Sequence, residues 1–557
     1  MTTTRDGSAL AELRRQAQAW LDGDPDESDR AELQAVLDAL PASANELADR
    51  FAGPLQFGTA GLRGPLRAGP AGMNLAVVLT AAAGLVRWLD ARAVSGPLVI
   101  GYDARHRSAE FAHATARVAT GAGRRALVLP RPLPTPVLAH AVRRLDAAAG
   151  VMVTASHNPP QDNGYKVYLG AVAGGPGGDG AQLVPPADAE IEAAIRDVGA
   201  ASVVPLGDPG ETLGEEIVQS YVDGAAAVVD PFQPRDLVVA YTAMHGVGTK
   251  VCLDALEAAG FAPPLVVAAQ AQPDPEFPTV TFPNPEEPGA MDRVIELARA
   301  NDADIAIAND PDADRCAVAV PDRAAPGGWR MLRGDEVGIL LADHLMRRGV
   351  RGRYATTIVS STLLSKLCAA RGMPYGETLT GFKWIVRAGG GDLVYGYEEA
   401  LGYCVAPQHV RDKDGISAAL LVCELAAGLK AELDTLLDRL DELAADFGVH
   451  ATDQVSVRVD DLAEISLLMR RLRTHPPASL LDEPVTSLDD LLPETDALVL
   501  RTESARVVVR PSGTEPKLKA YLEVVEPTAD GDVPAARERA AAALSALRTE
   551  TYAALGL

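Results

Sequence analysis

Three aspartates, Asp310, Asp312 and Asp314, occupy every second position of NDPDADRCAVAV, directly after the apolar run ADIAIA. Pro311 keeps this stretch from becoming helical. Alternate carboxylates on an extended loop can converge on one hard cation. Three oxygen donors suit Mg²⁺, which accepts few protein ligands and keeps positions for water or a phosphoryl oxygen. A calcium EF-hand does not fit, because Arg315 and Pro321 stand where that loop needs glycine and glutamate. A solvated acidic turn, or the aspartyl-phosphate loop of a phosphatase, stays open on this stretch alone.

A second cluster is TASHNPPQDNGYK, Thr154 to Lys166, behind the apolar GVMV. A serine hydroxyl is a poor nucleophile without a base or a metal. The G-x-S-x-G elbow of hydrolases is absent, since Ala155 and His157 flank Ser156. Strand alternation in NGYKVYL puts Lys166 and Tyr168 on the face opposite Tyr165, Val167 and Leu169. A lysine there, close to Ser156, can move a proton or neutralise a phosphate. A third segment, RPSGTEPKLK, offers the Arg510 fork, the hydroxyls of Ser512 and Thr514 and the close backbone of Gly513, with Lys517 and Lys519 adding charge. That combination makes an anion nest, or else an ordinary Pro/Gly hairpin. GYEEALGY sets Glu398 and Glu399 between glycines and aromatic rings, an arrangement that holds sugar hydroxyls or forms a surface turn. In RDKDGISAAL, Asp414 or Ser417 can cap a following helix, and the charge there is read as a cap.

The elements that carry these loops are short apolar runs alternating with Ala/Leu-rich helical stretches: PLVIGYD, ALVLP and GVMVTAS, then DLVVAYTA, ADIAIAND and YATTIVSS. This alternation implies βαβ units and largely parallel sheets. The end of the chain differs. ARVVVRPSGTEPKLKAYLEVVE reads as two strands around a tight turn before a long Ala/Arg helix, a smaller α+β module. At 557 residues the chain exceeds one core. Pro, Gly or charge interrupts the pattern near Val203–Gly214, Pro321–Gly328 and Leu440–Ala451, which marks candidate linkers. Four domains follow, 1–205, 206–325, 326–445 and 446–557. The Gly-rich patch from Gly170 to Gly180 reads as a mobile loop.

The formal charge of −25, with no long basic stripe, argues against nucleic acid or an anionic membrane as partner. An anionic small substrate requires local positive groups at its site. No run approaches the ~20 apolar residues of a membrane span, and the amphipathic start lacks a signal-peptide core, so a cytoplasmic protein is expected. Five scattered cysteines read as reduced core residues.

Taken in order, TASHNPPQDNGYK, DPDADR, GYEEALGY and RPSGTEPK resemble the α-D-phosphohexomutase superfamily of phosphoglucomutases and phosphomannomutases. The likeness extends to QFGTAGLRG, IGYDARHRS, TAMHGVG and TGFKWI and so covers most of the chain. It implies an α/β protein of four domains around a central cleft, three with a shared mixed α/β core and a smaller C-terminal α+β domain. It implies a phosphoserine at Ser156, Mg²⁺ held by Asp310, Asp312 and Asp314 together with Ser156, and sugar recognition by Glu398 and Glu399. Arg510, Ser512, Gly513 and Thr514 would hold the distal phosphate, and Arg63, Lys166, Arg315 and Lys383 match positive groups around the phosphates. The implied activity moves phosphate between C1 and C6 of a hexose, with a sugar 1,6-bisphosphate as intermediate and activator and sugar monophosphates as substrates. Lys166 is expected to transfer the proton, with His157 as second choice, and the protein to be a monomer or homodimer. Ala400 stands where many members carry serine, which bears on the sugar. GYEEALGY, GTAGLRG and DGAQLVPP resemble the longer phosphoglucomutase subgroup, which ranks glucose phosphate above mannose phosphate and pentose phosphates third. Phosphopentomutase or sugar-bisphosphate synthase activity is the alternative; a metal-dependent phosphatase and a non-enzymatic sugar-phosphate sensor rank lower.

Overall fold

The computed structural model describes residues 3–56, 61–459, 462–512, 517–528 and 531–556. The chain forms two compact units, one running to Met331 and taking in Cys404–Cys423, the other comprising Leu332–Tyr403 and the remainder from Glu424.

The first unit opens with helices Thr3–Gly23, Glu27–Asp38 and Ala44–Arg50. Asp26 caps the second of these by accepting from the amides of Ser28 and Asp29. A seven-stranded sheet follows, with Leu62–Pro65, Asp162–Leu169, Ala149–Val153, Leu98–Tyr102, Ala126–Val128 and Glu211–Thr212 in spatial order and Ala181–Gln182 beside Asp162–Leu169. Its central strands pair in parallel, while Asp162–Leu169 runs antiparallel to both of its long neighbours. The sheet is therefore mixed, because the chain makes a hairpin after Val153 instead of crossing over a helix. That hairpin carries TASHNPPQ at its tip. Tyr165, Val167 and Leu169 enter the core with Ile100, Val151 and Phe111, as alternation requires. The Lys166 and Tyr168 face is equally buried, against carboxylates.

A five-stranded sheet in the same unit places Val239–Thr242, Ile305–Ala308 and Leu265–Val266 in parallel and adds Ala317–Pro321 and Trp329–Met331 antiparallel. The expected linker at Pro321–Gly328 is thus the turn of a hairpin, since Pro and Gly mark tight turns as readily as domain joints. The Gly-rich patch is likewise structured. Ala171–Gly174 is a helical turn, and the Gly180 amide donates to the Leu169 carbonyl at 2.8 Å.

In the second unit Tyr375–Thr378, Arg353–Thr357 and Leu393–Glu398 lie side by side in parallel, with helices Gly334–Arg347 and Leu363–Arg371 among those in contact with them. The C-terminal part is an antiparallel sheet ordered Val449–Arg458, Lys517–Glu526, Ala505–Pro511, Leu498–Arg501 and Ser487–Asp490. Leu498, Val507 and Val509 from this sheet pack with Met469 and Leu547 of the two long helices that follow Leu462 and Val533. The candidate linker at Leu440–Ala451 shrinks to Gly448, because helix Leu436–Phe447 and strand Val449–Arg458 occupy the rest. Among the described residues no helix is long and apolar enough to cross a membrane.

Candidate active site

Strand Ala149–Val153 is fully buried and delivers Ser156 three residues beyond its end. Ser156 adopts a left-handed backbone (φ 52°), a conformation that costs an L-residue about 1–2 kcal/mol and needs outside support. Its amide donates to Thr154 Oγ1 (2.9 Å), and Thr154 Oγ1 donates to Asp103 Oδ2 (2.6 Å). The buried Arg105 guanidinium donates to the carbonyls of Ser156 (2.6 Å), Asn158 (2.5 Å), Pro159 (2.8 Å) and Asp162 (3.2 Å). Five N–H donors in a rigid fork can gather carbonyls in this way, where a lysine could not. Arg63 Nη1 donates to Asn158 Oδ1 at 2.8 Å. So held, Ser156 Oγ donates to Asp310 Oδ2 at 2.8 Å and lies 3.2 Å from His157 Nδ1. Burial, and then the positive charges of Arg315 and Arg63, hold the His157 imidazolium far below its usual range, so the ring is neutral.

Asp310 follows strand Ile305–Ala308, and Ala313 turns left-handed (φ 53°) between the second and third aspartates. Asn309 closes the base of the loop, accepting from Tyr241 Oη (2.8 Å) and donating to the Arg315 carbonyl (2.6 Å). One carboxylate oxygen from each aspartate lies within 4.8 Å of the others. Lys166 Nζ donates to Asp312 Oδ2 (2.8 Å) and Asp314 Oδ2 (3.0 Å), Lys413 Nζ stands 3.3 Å from the latter, and Thr135 Oγ1 donates to Asp312 Oδ2 (2.6 Å). Burial and the neighbouring carboxylates push Asp310 well above the ordinary carboxyl range. The same burial acts on Asp314, but Lys166, Lys413 and Arg315 overcome it and hold that group far below the range. Burial also keeps Lys166 from being more strongly cationic, yet Asp312 and Asp314 raise it above its usual value.

Asp312 Oδ1 and Asp314 Oδ1 are buried with no hydrogen-bond partner among the described residues. Two unfilled carboxylate oxygens beside a third, Asp310, that is destabilised by like charge are the donor set a divalent cation satisfies. The residues fit Mg²⁺.

The first unit therefore brings together Ser156, His157, Lys166, Arg63, Arg315 and the three aspartates. Lys166 reaches the aspartates, while the hydroxyl of Ser156 is taken up by Asp310 and His157. In the second unit Glu398 ends strand Leu393–Glu398. Glu399 Oε2 next to it accepts from Ser360 Oγ (2.9 Å) and Thr357 Oγ1 (3.3 Å). Lys383 is buried, with Nζ 5.8 Å from the centre of the Trp384 ring. Arg510 and Ser512 stand where strand Ala505–Pro511 runs out, and the Ser512 amide donates to the Lys517 carbonyl at 2.7 Å. Gly513 and Thr514 lie outside the described residues.

Sequence reasoning missed Arg105, Thr135, Ser360 and Lys413. The signal for Lys413 was present in RDKDG, read only as a helix cap. Asp414 does cap, accepting from the Ile416 and Ser417 amides (3.1 Å each), but the same turn packs on the metal-loop backbone. A side chain at Gly415 would meet the Arg315 carbonyl at 2.1 Å, which only glycine avoids.

A serine held against a buried carboxylate triad, ringed by arginine and lysine on an α/β framework, defines a phosphoryl-transfer site. Four segments of the chain match the phosphoglucomutase/phosphomannomutase profiles: alpha/beta/alpha domains I, II and III at residues 54–201, 219–325 and 333–443, and the C-terminal domain at 455–540. The chain belongs to this family, whose members are isomerases that act by phosphotransfer. It is 47% identical over 461 residues to a protein named "Probable phosphomannomutase" of Haemophilus influenzae, covering 81% of this chain and 93% of that one. A Staphylococcus aureus phosphoglucomutase is 31% identical, with 88% and 93% covered. The open form of the Paramecium phosphoglucomutase parafusin shares the fold, with a TM-score of 0.65 at 18% identity, over 90% of this chain and 94% of that one.

Proposed function

We propose that the protein is a Mg²⁺-dependent hexose-phosphate mutase that moves phosphate between C1 and C6 through a phosphorylated Ser156, with glucose phosphate preferred and mannose phosphate next. The observation that carries this reading is the 2.8 Å bond from Ser156 Oγ to Asp310, beside the unfilled oxygens of Asp312 and Asp314. Phosphorylated Ser156 gives its PO₃ group to the free hydroxyl of a sugar monophosphate. The P–Oγ bond breaks as the new P–O bond forms, and the hydroxyl proton passes to the Lys166 amine. The resulting bisphosphate turns and returns its other phosphate to Oγ, and added 1,6-bisphosphate primes the serine. Asp310, Asp312 and Asp314, with an oxygen on Ser156, would hold Mg²⁺, which would supply charge neutralisation at the phosphoryl group.

Arg63 and Arg315 line the phosphoryl position, and Lys166, in its minor neutral form, takes the substrate proton, Asp312 and Asp314 then holding the ammonium that results. Neutral His157, 3.2 Å from Oγ, is the alternative for the serine's own proton. Glu398, Glu399 and Lys383 orient the sugar; Arg510 and Ser512, with Gly513 and Thr514, hold the distal phosphate. The four-domain division is proposed with these roles, its boundaries at 205 and 445 kept and the one expected at 325 moved beyond Met331, because Trp329–Met331 pairs with Ala317–Pro321 of the second domain. The protein is proposed to be cytoplasmic and to work as a monomer or homodimer.

A phosphatase using Asp310 as nucleophile is disfavoured, because Asp310 already accepts from Ser156 Oγ (2.8 Å) and from the Arg315 amide (3.0 Å). The test is a coupled assay with glucose, mannose and ribose 1-phosphates on the wild type and on Ser156→Ala. Loss of isomerisation in the variant with no phosphate release supports the mutase, and retained activity with release refutes it. A mannose or ribose preference overturns the ranking of sugars.

A further inference from the structure

Glu523 is 2% exposed, in the strand that leads away from the proposed phosphate turn. A carboxylate so deeply buried must be matched by donors or it unfolds its surroundings. Its partners come from two places. Within its own sheet, Arg506 is its direct cross-strand neighbour and pairs with it by charge, Nη2 lying 3.1 Å from Oε2 without a hydrogen bond to that oxygen, and His450 Nδ1 lies 3.0 Å from Oε1. From the α/β part of the same unit, Ser361 Oγ (2.7 Å) and the Thr362 amide (2.8 Å) donate to Oε1. Thr362 precedes helix Leu363–Arg371, so the carboxylate also sits at the positive end of that helix. Burial works against the charged form, but the His450 hydrogen bond and Arg506 keep the Glu523 carboxyl down at about 2.

Arg506 reaches the same loop. It donates to the Ser360 carbonyl and, at 3.3 Å, to the Ile358 carbonyl. Ser360 is the residue whose hydroxyl holds Glu399 at 2.9 Å. Further along the strand of Arg506, alternation puts Arg510 on the same face, because Val507 and Val509 turn into the C-terminal core while Val508 packs on Val359. One strand thus carries both the arginine that grips the Glu399 support and the arginine of the proposed phosphate turn.

We propose that Glu523 and Arg506 are a positioning pair: by joining the Ser360–Thr362 loop to the strand of Arg510, they fix the span between the sugar-recognition carboxylate and the distal-phosphate grip. This rests on the roles proposed above for Glu399 and Arg510. Neither Glu523 nor Arg506 touches substrate. They act through Ser360 on one side and through the backbone leading to Arg510 on the other.

The experiment is a double-mutant cycle in the full-length enzyme, with KM and kcat for glucose 1-phosphate and melting temperature as readouts. Glu523→Gln, which keeps shape and removes the charge, is expected to raise KM about tenfold while changing kcat less than about threefold, the mark of lost ground-state placement. In an Arg510→Gln background the same substitution is expected to change KM less than about twofold, because the grip it aligns is already gone. A merely structural role would act equally in both backgrounds. Additive effects, or an unchanged KM in the single variant, overturn the pairing alone. An unchanged KM in Arg510→Gln by itself removes the reading of the phosphate turn and this inference with it. Should Glu523→Gln fail to fold, Arg506→Lys takes its place in the cycle, since it keeps a cation for Glu523 and loses the fork to Ser360 and Ile358.

Discussion

Replacing Lys166 with methionine tests the electrostatic logic of the site. Nζ lies 2.8 Å from Asp312 and 3.0 Å from Asp314, and all three side chains are at most 3% exposed. Methionine preserves most of the stem and removes the charge. Breaking a buried ion pair by deleting one partner costs about 3–5 kcal/mol, since the remaining charge stays desolvated. The first unit has about 350 residues, and at about 2.1 cal/mol/K per residue each kcal/mol is worth about 1.4 °C. In EDTA the melting transition of that unit should therefore fall by about 4–7 °C. Mg²⁺ should then recover more stability in the variant than in the wild type, because the aspartates have lost a competing cation and bind the ion more tightly. The assay is differential scanning calorimetry of both proteins with EDTA and with a Mg²⁺ series, together with mutase rates, which should collapse in the variant. A transition within about 1 °C of wild type in EDTA, or an identical Mg²⁺ dependence, would refute the claim that Lys166 balances a cation-ready triad.

Arg105→Lys should lower kcat by about 100-fold, because a single ammonium cannot gather the four carbonyls that hold Ser156 left-handed; steady-state kinetics with a circular-dichroism check of folding decides it. Gly334→Ala puts a methyl 1.9 Å from the Glu399 carbonyl, so the sugar loop must shift. KM should rise by about tenfold, and a wild-type KM would show that the loop yields freely. His140, its imidazolium lowered to about 4 by burial and by its neighbour His409, faces His409, Ser220, Arg143 and Arg144. A histidine held neutral in the fold but protonated when unfolded makes stability fall as pH drops from about 6.5 towards 4, by about 3 kcal/mol in all. His140→Gln should flatten that decline in melting temperature, and an unchanged slope would remove His140 as its source.

Much of the reactive half was legible locally, because its chemistry is written in loops whose spacing survives without a fold. The alternate aspartates after a strand, with Pro311 excluding a helix, offered a cation loop beside an acidic turn and a phosphatase loop, and Ala313 supplies the left-handed turn that lets them converge. Alternation in NGYKVYL sorted Lys166 from Tyr165 correctly, because a strand has only two faces. What hid was everything that depends on partners far apart in the chain. Arg105 earns its role from carbonyls more than fifty residues on. Lys413 looked like part of a helix cap until Asp314 stood 3.3 Å away. Linkers were misread where Pro and Gly serve hairpins, as at Pro321–Gly328, since turn chemistry does not say what the flanking strands pair with.

By itself the sequence determined which side chains can bind a cation, present a hydroxyl and attract phosphate, and the order in which they come, because residue type and short spacing set donor chemistry directly. Only the tertiary structure decided that Ser156 turns its hydroxyl to Asp310, that Lys166 serves the aspartates, and that Glu523 joins the Glu399 support to the strand of Arg510. These are contacts across 146 to 162 residues of chain. Their energies come from burying charge among fixed partners, a property of the packed interior that no local stretch possesses.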